Sequence, residues 1–496
     1  MRIVIVASEV VPFSKTGGLA DVAGALPSAL SKLGNDVLVI TPLYAAAREN
    51  CERLNLELKE CTDSILRFPI GGAEAEGRIL TSSLPGSNVP VYLLENGRYY
   101  NRPGLYSDPD DNSDYADNSE RFLFLSRGAL EACKVLGIQP DVFHCNDWQT
   151  GLIPAYLHHL YHNDFPETAS VMTVHNIAYQ GLFWHGDMNL TGLPWELFNW
   201  RMLEYYGKLS FLKAGLVAAE VVTTVSKQYA KEIQTEQFGM GMEGVLRQRS
   251  DTLVGIVNGV DYDVWSPEAD KTLAAAYSAD DLSGKAECKR ALQARYNLPT
   301  RKEAPLIGMI GRLVEQKGFD LVAAAMDKLM EMGVQLAILG TGQPKYHALL
   351  GEMQTKYPDG IGLFLGFDDA LAHQTEAGSD MFLMPSRFEP CGLNQLYSLR
   401  YGTVPVVSQT GGLVDTIVDY STATARAGTS TGFTFRAGSM NQMLRAVKRA
   451  VQVYREDPEA WRALQLTGMR QDWSWERSAR EYVQAYEKAR EVMQRR

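Results

Sequence analysis

The sequence predicts an α/β protein made of two doubly wound, parallel-sheet domains facing each other. Three observations carry that expectation. Short β-branched apolar runs alternate with stretches of helical period along most of the chain, the pattern of strands buried on both faces and joined by crossover helices. The alternation runs twice, before and after a polar stretch at 263–304. The hexapeptide Thr16-Gly17-Gly18-Leu19-Ala20-Asp21 returns, with one conservative change, as Thr410-Gly411-Gly412-Leu413-Val414-Asp415, each time after a strand-like run. Chance alone can produce a six-residue echo; the shared strand context is what relates the two halves.

Taken in order, Arg2–Ala7 reads as a buried strand. Leu19, Val22, Ala23, Leu26, Leu30 and Leu33 then recur at helical steps until Gly34 stops the helix. Asp36–Thr41 is a second strand, closed by Pro42. Residues 51–95 look β-rich, with a turn at Pro85-Gly86 and a strand at Val89–Leu94. The acidic, Asn- and Tyr-rich loop 101–119 suits a hydroxyl-rich ligand or a plain solvated connection. Asp141–Cys145, Ser170–Val174 and Val221–Val225 are further strands; Pro305–Ile310, Gln335–Leu339, Gly362–Leu365, Met381–Met384 and Val404–Val407 supply the second sheet. The junction falls near Leu253–Asp261, dividing the chain into 1–254, 255–473 and a charged terminal helix at 474–496.

Composition narrows the partners. A formal charge of −11 over 496 residues, with no long basic run, argues against nucleic acid or an anionic membrane. Six cysteines without a CxxC pair read as free thiols of a reducing compartment. No leader-like segment follows Met1, and no apolar run nears the ~20 residues that span a bilayer. The expectation is a cytoplasmic protein whose oligomeric state the sequence does not assign.

The chemistry is expected at the carboxyl ends of the strands. Gly17 and Gly18 sit at a strand-to-helix junction, where free backbone N–H groups and the helix dipole favour an anion, and Lys15 adds a full charge; the alternative is an ordinary turn with a solvated lysine. Asn146-Asp147-Trp148, His175-Asn176, Asn258, Gly311-Arg312 with Lys317, Gly340-Thr341-Gly342 and Ser386–Leu393, including Glu389, follow other strands. Singly, such residues more often serve hydrogen bonding or solvation; the weight lies in nearly every strand end carrying one. GxGxxG, GxxxxGK[ST] and GxSxG are absent. His158-His159-Leu160-Tyr161-His162 lacks the glutamate of HExxH and reads as helix surface, not a zinc site.

Together these residues resemble a known family. Ser8–Asp21 is similar to the N-terminal signature of bacterial glycogen synthases and plant starch synthases; Thr173–Gly181, Ile256–Asp261, Gly311–Gly318 and Ser386–Gln395 resemble its further blocks, in the expected order across nearly the whole chain. The resemblance implies two Rossmann-like domains with the active site in the cleft between them, the GT-B architecture, and a terminal helix crossing back to the first domain. It implies glucosyl transfer from ADP-glucose to the non-reducing end of an α-1,4-glucan with retention, with no metal or other cofactor. Carried over by position, Lys15, Arg312 and Lys317 hold the diphosphate beside Gly18 and Asp21. His175 lies by the transferred glucose, and Asp147, Asn258 and Glu389 surround its hydroxyls and reacting carbon. Asn176 and Asp147 face the acceptor, Cys391 and Gly392 share the Glu389 loop, and Phe367 takes the adenine-stacking place often held by Tyr. One departure stands out: related retaining transferases place a second glutamate, for the ribose, where this chain has Tyr397. Two rivals remain: a GT-B transferase of other donor or acceptor, and a catalytically silent glucan-binding protein.

Overall fold

The computed structural model describes residues 1–111 and 113–495, with the side chains of all of these except 62–64. Two compact units form: Met1–Gly259 with Trp475–Arg496, and Val260–Ser474.

The first unit is organised on a nine-stranded sheet. In chain order its strands are β1 (Arg2–Val6), β2 (Asp36–Pro42), β3 (Lys59–Ile70), β4 (Ala73–Ser83), β5 (Pro90–Glu95), β6 (Val142–Asn146) and β7 (Ala169–Val174). After the short β8 (Leu182–Trp184), β9 (Glu204–Tyr205) and β10 (Lys208–Ser210) come β11 (Val221–Thr224) and β12 (Leu253–Gly255). The sheet order is β12-β11-β7-β6-β1-β2-β5-β4-β3, parallel from β12 to β5 and antiparallel across β5, β4 and β3, while β8, β10 and β9 make a small separate sheet. Ile3, Val4, Val142, Val171 and Val221 are fully buried, as strands covered on both faces require. The terminal helix Trp475–Gln494 packs on the helix Gly18–Lys32 and on β7 through Tyr482, Tyr486 and Ala489.

The second unit carries six parallel strands: β13 (Leu306–Ile310), β14 (Gln335–Gly340), β15 (Ile361–Leu365), β16 (Met381–Met384), β17 (Val404–Ser408) and β18 (Phe433–Phe435). Their order, β15-β14-β13-β16-β17-β18, is the 3-2-1-4-5-6 arrangement of a Rossmann sheet. Ile307, Leu336, Val406, Phe433 and Val447 fill the core on one of its faces.

Three local readings are corrected. Residues 51–54 close the helix Ala45–Leu54 rather than opening a β excursion, with Asn55 in the left-handed region ending it. Pro42 is the last residue of β2, not its stop. His158 is not surface: its Nε2 lies 3.0 Å from the buried Glu220 carboxylate and 3.1 Å from the Ala218 carbonyl.

Candidate active site

Each sheet has one switch point, where the chain leaves one strand and next pairs on its other side. In the first unit it lies between β1 and β6; in the second it lies between β13 and β16. Ligands of open α/β sheets bind beyond the strand ends at such points. The segments expected to carry the chemistry emerge from these four strands and their neighbours.

After β1 the chain makes the loop Ala7–Gly17 and enters the helix at Gly18. Glu9, buried within the loop, accepts the N–H of Thr16, the Thr16 hydroxyl at 2.9 Å and the N–H of Gly17 at 3.2 Å. Burial pushes its carboxyl pKa up, against the lowering pull of those hydrogen bonds. The expectation of free N–H groups on this turn is therefore corrected: Thr16 and Gly17 give theirs to an internal carboxylate. Gly18 is exposed and starts the helix, whose first-turn N–H groups have no intrahelical acceptors. Lys15 extends to solvent and pairs with Asp21 at 2.7 Å, so the two polar ends of the motif are brought together.

After β6, Asp147 stands at φ 55°, a left-handed value unusual for aspartate. Its N–H donates to the Thr173 carbonyl at 2.9 Å, and its Oδ1 accepts the His175 N–H at 2.7 Å. Burial raises the Asp147 pKa to about 7, opposed by the N–H groups of His175 and Asn176 and reinforced by the charge of Glu9. His175 places Nε2 2.9 Å from Asn146 Oδ1. The Asn146 amide nitrogen donates to the Val6 and His144 carbonyls, so its oxygen is an acceptor and the imidazole carries its proton on Nε2. Burial lowers the His175 pKa to about 3, so the ring is neutral at physiological pH and Nδ1 is left as an acceptor. Behind this pair, buried His144 binds Thr173 Oγ1 at 2.6 Å and the Tyr486 hydroxyl of the terminal helix at 2.9 Å. Asn176 accepts the Ala178 N–H in a turn at 3.0 Å. Asn258, after β12, is buried with its Oδ1 unpartnered.

In the second unit Lys317, after β13, meets Glu389, after β16, at 2.6 Å; the carboxylate side chain is only 7% exposed and also accepts the Ser386 hydroxyl at 2.9 Å. Gly318, at φ 73°, turns the chain where a Cβ would stand 2.2 Å from the Pro385 carbonyl. Arg387 locks the two loops by a bidentate pair to Asp320, 2.8 and 2.6 Å. The echo glycines close the loop from the other side: a Cβ on Gly411 would stand 1.9 Å from the Glu389 carbonyl, and one on Gly412 2.0 Å from that of Cys391. Cys391 is buried, Gly392 has φ 73°, and the Gln395 amide donates to both their carbonyls at 3.0 Å. Arg312 is exposed and, among the described residues, has no ion-pair partner. Phe367, beyond β15, is 78% exposed. Tyr397 stacks on Trp265 at 3.7 Å, and Trp265 on His373 at 3.8 Å, so the departing position is occupied by a ring held in a structural stack. Gly340 and Gly342 let the end of β14 lie against Gly311 and Leu313, where a Cβ would come within 2.1 and 2.5 Å of their carbonyls.

Sequence reasoning missed Glu9 as the residue that shapes the lysine loop, and Asn146, Ser386 and Tyr486 as supports. Glu9 carried one signal, a carboxylate just after a strand and directly ahead of the apolar pair Val10-Val11. Among the described residues, no group of three or more His, Cys, Asp or Glu side chains is placed to hold a metal ion, and no helix is long and apolar enough to cross a membrane.

Two Rossmann-like units, each with polar residues gathered at its switch point, are the architecture of GT-B glycosyltransferases, and the matches to known proteins put the chain in that class. Residues 2–248 match the family model described as starch synthase catalytic domain, and 293–463 that of glycosyl transferases group 1. The glycogen synthase of Koribacter versatilis is 47% identical over 99% of both chains, and that of an Anaeromyxobacter species 47% identical over 98% of this chain and 99% of the relative. Among solved structures, the catalytic domain of starch synthase IV from Arabidopsis thaliana, bound to ADP and acarbose, is similar at a TM-score of 0.90 and 32% identity, covering 99% of each chain. A sucrose-phosphate synthase from Thermosynechococcus elongatus, 18% identical with a TM-score of 0.58 over 98% of each chain, shares the fold. The chain belongs to the glycogen synthase family and is a glucosyltransferase.

Proposed function

We propose that the enzyme transfers glucose from ADP-glucose to the non-reducing end of an α-1,4-glucan, with retention at the anomeric carbon and without a metal ion. The observation that carries this reading is the Lys317–Glu389 pair, 2.6 Å apart at the switch point of the Rossmann sheet, with Arg312 on the same strand end. Departure of ADP builds negative charge on the diphosphate and positive charge on the sugar. Arg312 and Lys317 supply cations in the second unit, and Lys15 supplies one in the first; fixed cations of this kind stabilise a leaving phosphate without reorganising. Glu389 supplies the opposing charge for the sugar.

The first unit's groups suit hydroxyls. Neutral His175 accepts a hydroxyl proton on Nδ1, and the orphaned Asn258 Oδ1 accepts another. Asp147, its pKa near 7, exchanges between donor and acceptor at neutral pH, beside the acceptor group Asn176. Gly18 and Asp21 complete the lysine loop, Cys391 and Gly392 shape the loop around Glu389, and exposed Phe367 offers a ring face to adenine. Support for this donor and acceptor class comes from the Arabidopsis catalytic domain bound to ADP and acarbose. Free thiols at buried Cys51, Cys133, Cys145 and Cys288 fit a cytoplasmic location.

The test is incorporation of labelled glucose into glycogen with ADP-glucose and UDP-glucose side by side, each with and without EDTA. The expected outcome is incorporation from ADP-glucose, unaffected by chelator, into new α-linkages read from their anomeric proton couplings. Preference for UDP-glucose, β-linkages, or EDTA inhibition reversed by Mg²⁺ would each overturn the matching part. No incorporation from either donor would favour the silent glucan-binding reading.

A further inference from the structure

The loop that carries Glu389 has every carbonyl from 389 to 392 bonded from within. The Gly412 N–H donates to the carbonyls of Glu389 and Pro390, both at 3.1 Å. The Gln395 amide nitrogen donates to those of Cys391 and Gly392, both at 3.0 Å. Gln395 itself is fully buried, yet its Oε1 is unpartnered among the described residues. An orphaned buried acceptor is costly. Turning the amide over would be worse, since Oε1 would then face two carbonyl oxygens. The side chain is therefore committed to those two bonds.

Their effect on the backbone follows from peptide geometry. In a trans peptide the N–H points opposite to the carbonyl before it. With the Cys391 and Gly392 carbonyls held on the glutamine, the N–H groups of Gly392 and Leu393 turn away from it. Among the described residues neither N–H has an acceptor. Gly392 stands at φ 73° and Leu393 at φ −115°, ψ −34°, a left-handed residue followed by a right-handed one. A Cβ on Gly392 would come within 2.4 Å of Gln395 Oε1, so the loop lies directly on the amide.

We propose that Gln395 is a positioning residue for glucosyl transfer, fixing the two peptides that follow Cys391 and, through them, the placement of Glu389 in the same loop. The glutamine touches no reacting atom in this role; it sets the backbone from which the carboxylate projects. A matched comparison exists in the same unit. Gln395 opens the helix Asn394–Arg400, and beyond its other end Gln465 donates to the carbonyl of Gly402, also left-handed at φ 63°, at 2.8 Å. Both glutamines tie down a left-handed glycine, but only Gln395 does so in the loop of Glu389.

The proposal rests on the transfer reaction of the previous subsection, and its test separates the two. Gln395→Met and Gln465→Met remove the same amide from the two places, and Gln395→Glu keeps the shape. Melts and steady-state kinetics are measured with ADP-glucose, UDP-glucose and glycogen. Both methionine variants should melt below wild type. Gln395→Met should also lose kcat on the order of 10²-fold with KM for donor and glycogen little changed, the mark of a contact needed only in the transition state. Gln465→Met should keep wild-type kcat. In Gln395→Glu the protonated acid donates one bond and the carboxylate none, so its rate relative to wild type should fall as pH rises over about 6–9. Wild-type kcat in Gln395→Met, an equal loss in Gln465→Met, or a constant rate ratio for Gln395→Glu across that range would each overturn the proposal. Transfer from UDP-glucose alone, with the same contrast between the two methionine variants, would refute the donor and keep the role of Gln395. Wild type inactive with both donors would overturn both.

Discussion

Removing the Lys317 ammonium tests the reaction centre where structure and chemistry make different demands. Lys317→Met deletes one partner of the 2.6 Å pair and strands the Glu389 carboxylate, 7% exposed, with Ser386 Oγ at 2.9 Å as its remaining side-chain donor. Breaking a buried pair typically costs about 3–5 kcal/mol; water reaching the 23%-exposed lysine site reduces this to about 2 kcal/mol here. For a unit of this size that lowers its melting temperature by about 5 °C. The catalytic loss is larger: withdrawing one preorganised charge from a leaving group costs about 10²–10³ in kcat. Lys317→Met combined with Glu389→Gln separates the effects, since no buried charge is then stranded. Calorimetry should show the melt returning toward wild type, while the incorporation assay stays at the level of the single variant or below. Wild-type kcat in Lys317→Met, or recovery of activity along with stability in the double variant, would refute the assignment.

The other predictions concern the loops around that pair and the first unit. Gly411→Ala places a Cβ 1.9 Å from the Glu389 carbonyl at φ 44°, so both the melt and kcat should fall, and a fully active, stable variant would contradict the packing. Lys15→Ala breaks its pair with Asp21, a largely exposed contact, so the melt should hold while donor KM and kcat deteriorate; steady-state kinetics decide it. Asp147 has its pKa raised from 3.8 to about 7, so the folded chain holds a proton that the unfolded chain releases. That contribution is fully present below pH 3.8 and lost as pH rises through about 7. Asp147→Asn should therefore gain stability relative to wild type at pH 8 but not in acid, and lose the activity inflection near neutrality. Parallel melts and rate profiles across pH check both.

The parallel strands were legible because burial on both faces writes them as unbroken apolar runs; Met381–Met384 stands as read, and other edges moved by a residue or so. Strands of two or three residues write no such run. β8, β9 and β10 escaped notice for that reason, as did β18, whose pairing on β17 is a tertiary choice. At the site, the sequence named residues but not their partners. That Lys317 meets Glu389, or that Tyr397 lies flat on Trp265, depends on strand order, which no local pattern encodes. Glu9 was hidden for another reason: its effect lies in which N–H groups a loop turns inward, a matter of backbone path rather than of residue type.

The two Gly-Gly junctions show how far a shared motif constrains its use. In the first, the backbone ahead of the helix is bonded by Glu9 from within, leaving Lys15, Asp21 and exposed Gly18 as the groups presented outward. In the second, both glycines are buried and admit the carbonyls of Glu389 and Cys391, while Gln409, at the place of the lysine, donates to Thr434 at 3.0 Å. One copy thus presents a cation and the other shapes the loop that carries a carboxylate. Six residues alike but for Ala20 against Val414 serve a Rossmann turn in both; what distinguishes them is whether the space above the turn is filled by a neighbouring loop. That is why the lysine, rather than the glycines, is the part of the motif to which substrate chemistry is assigned.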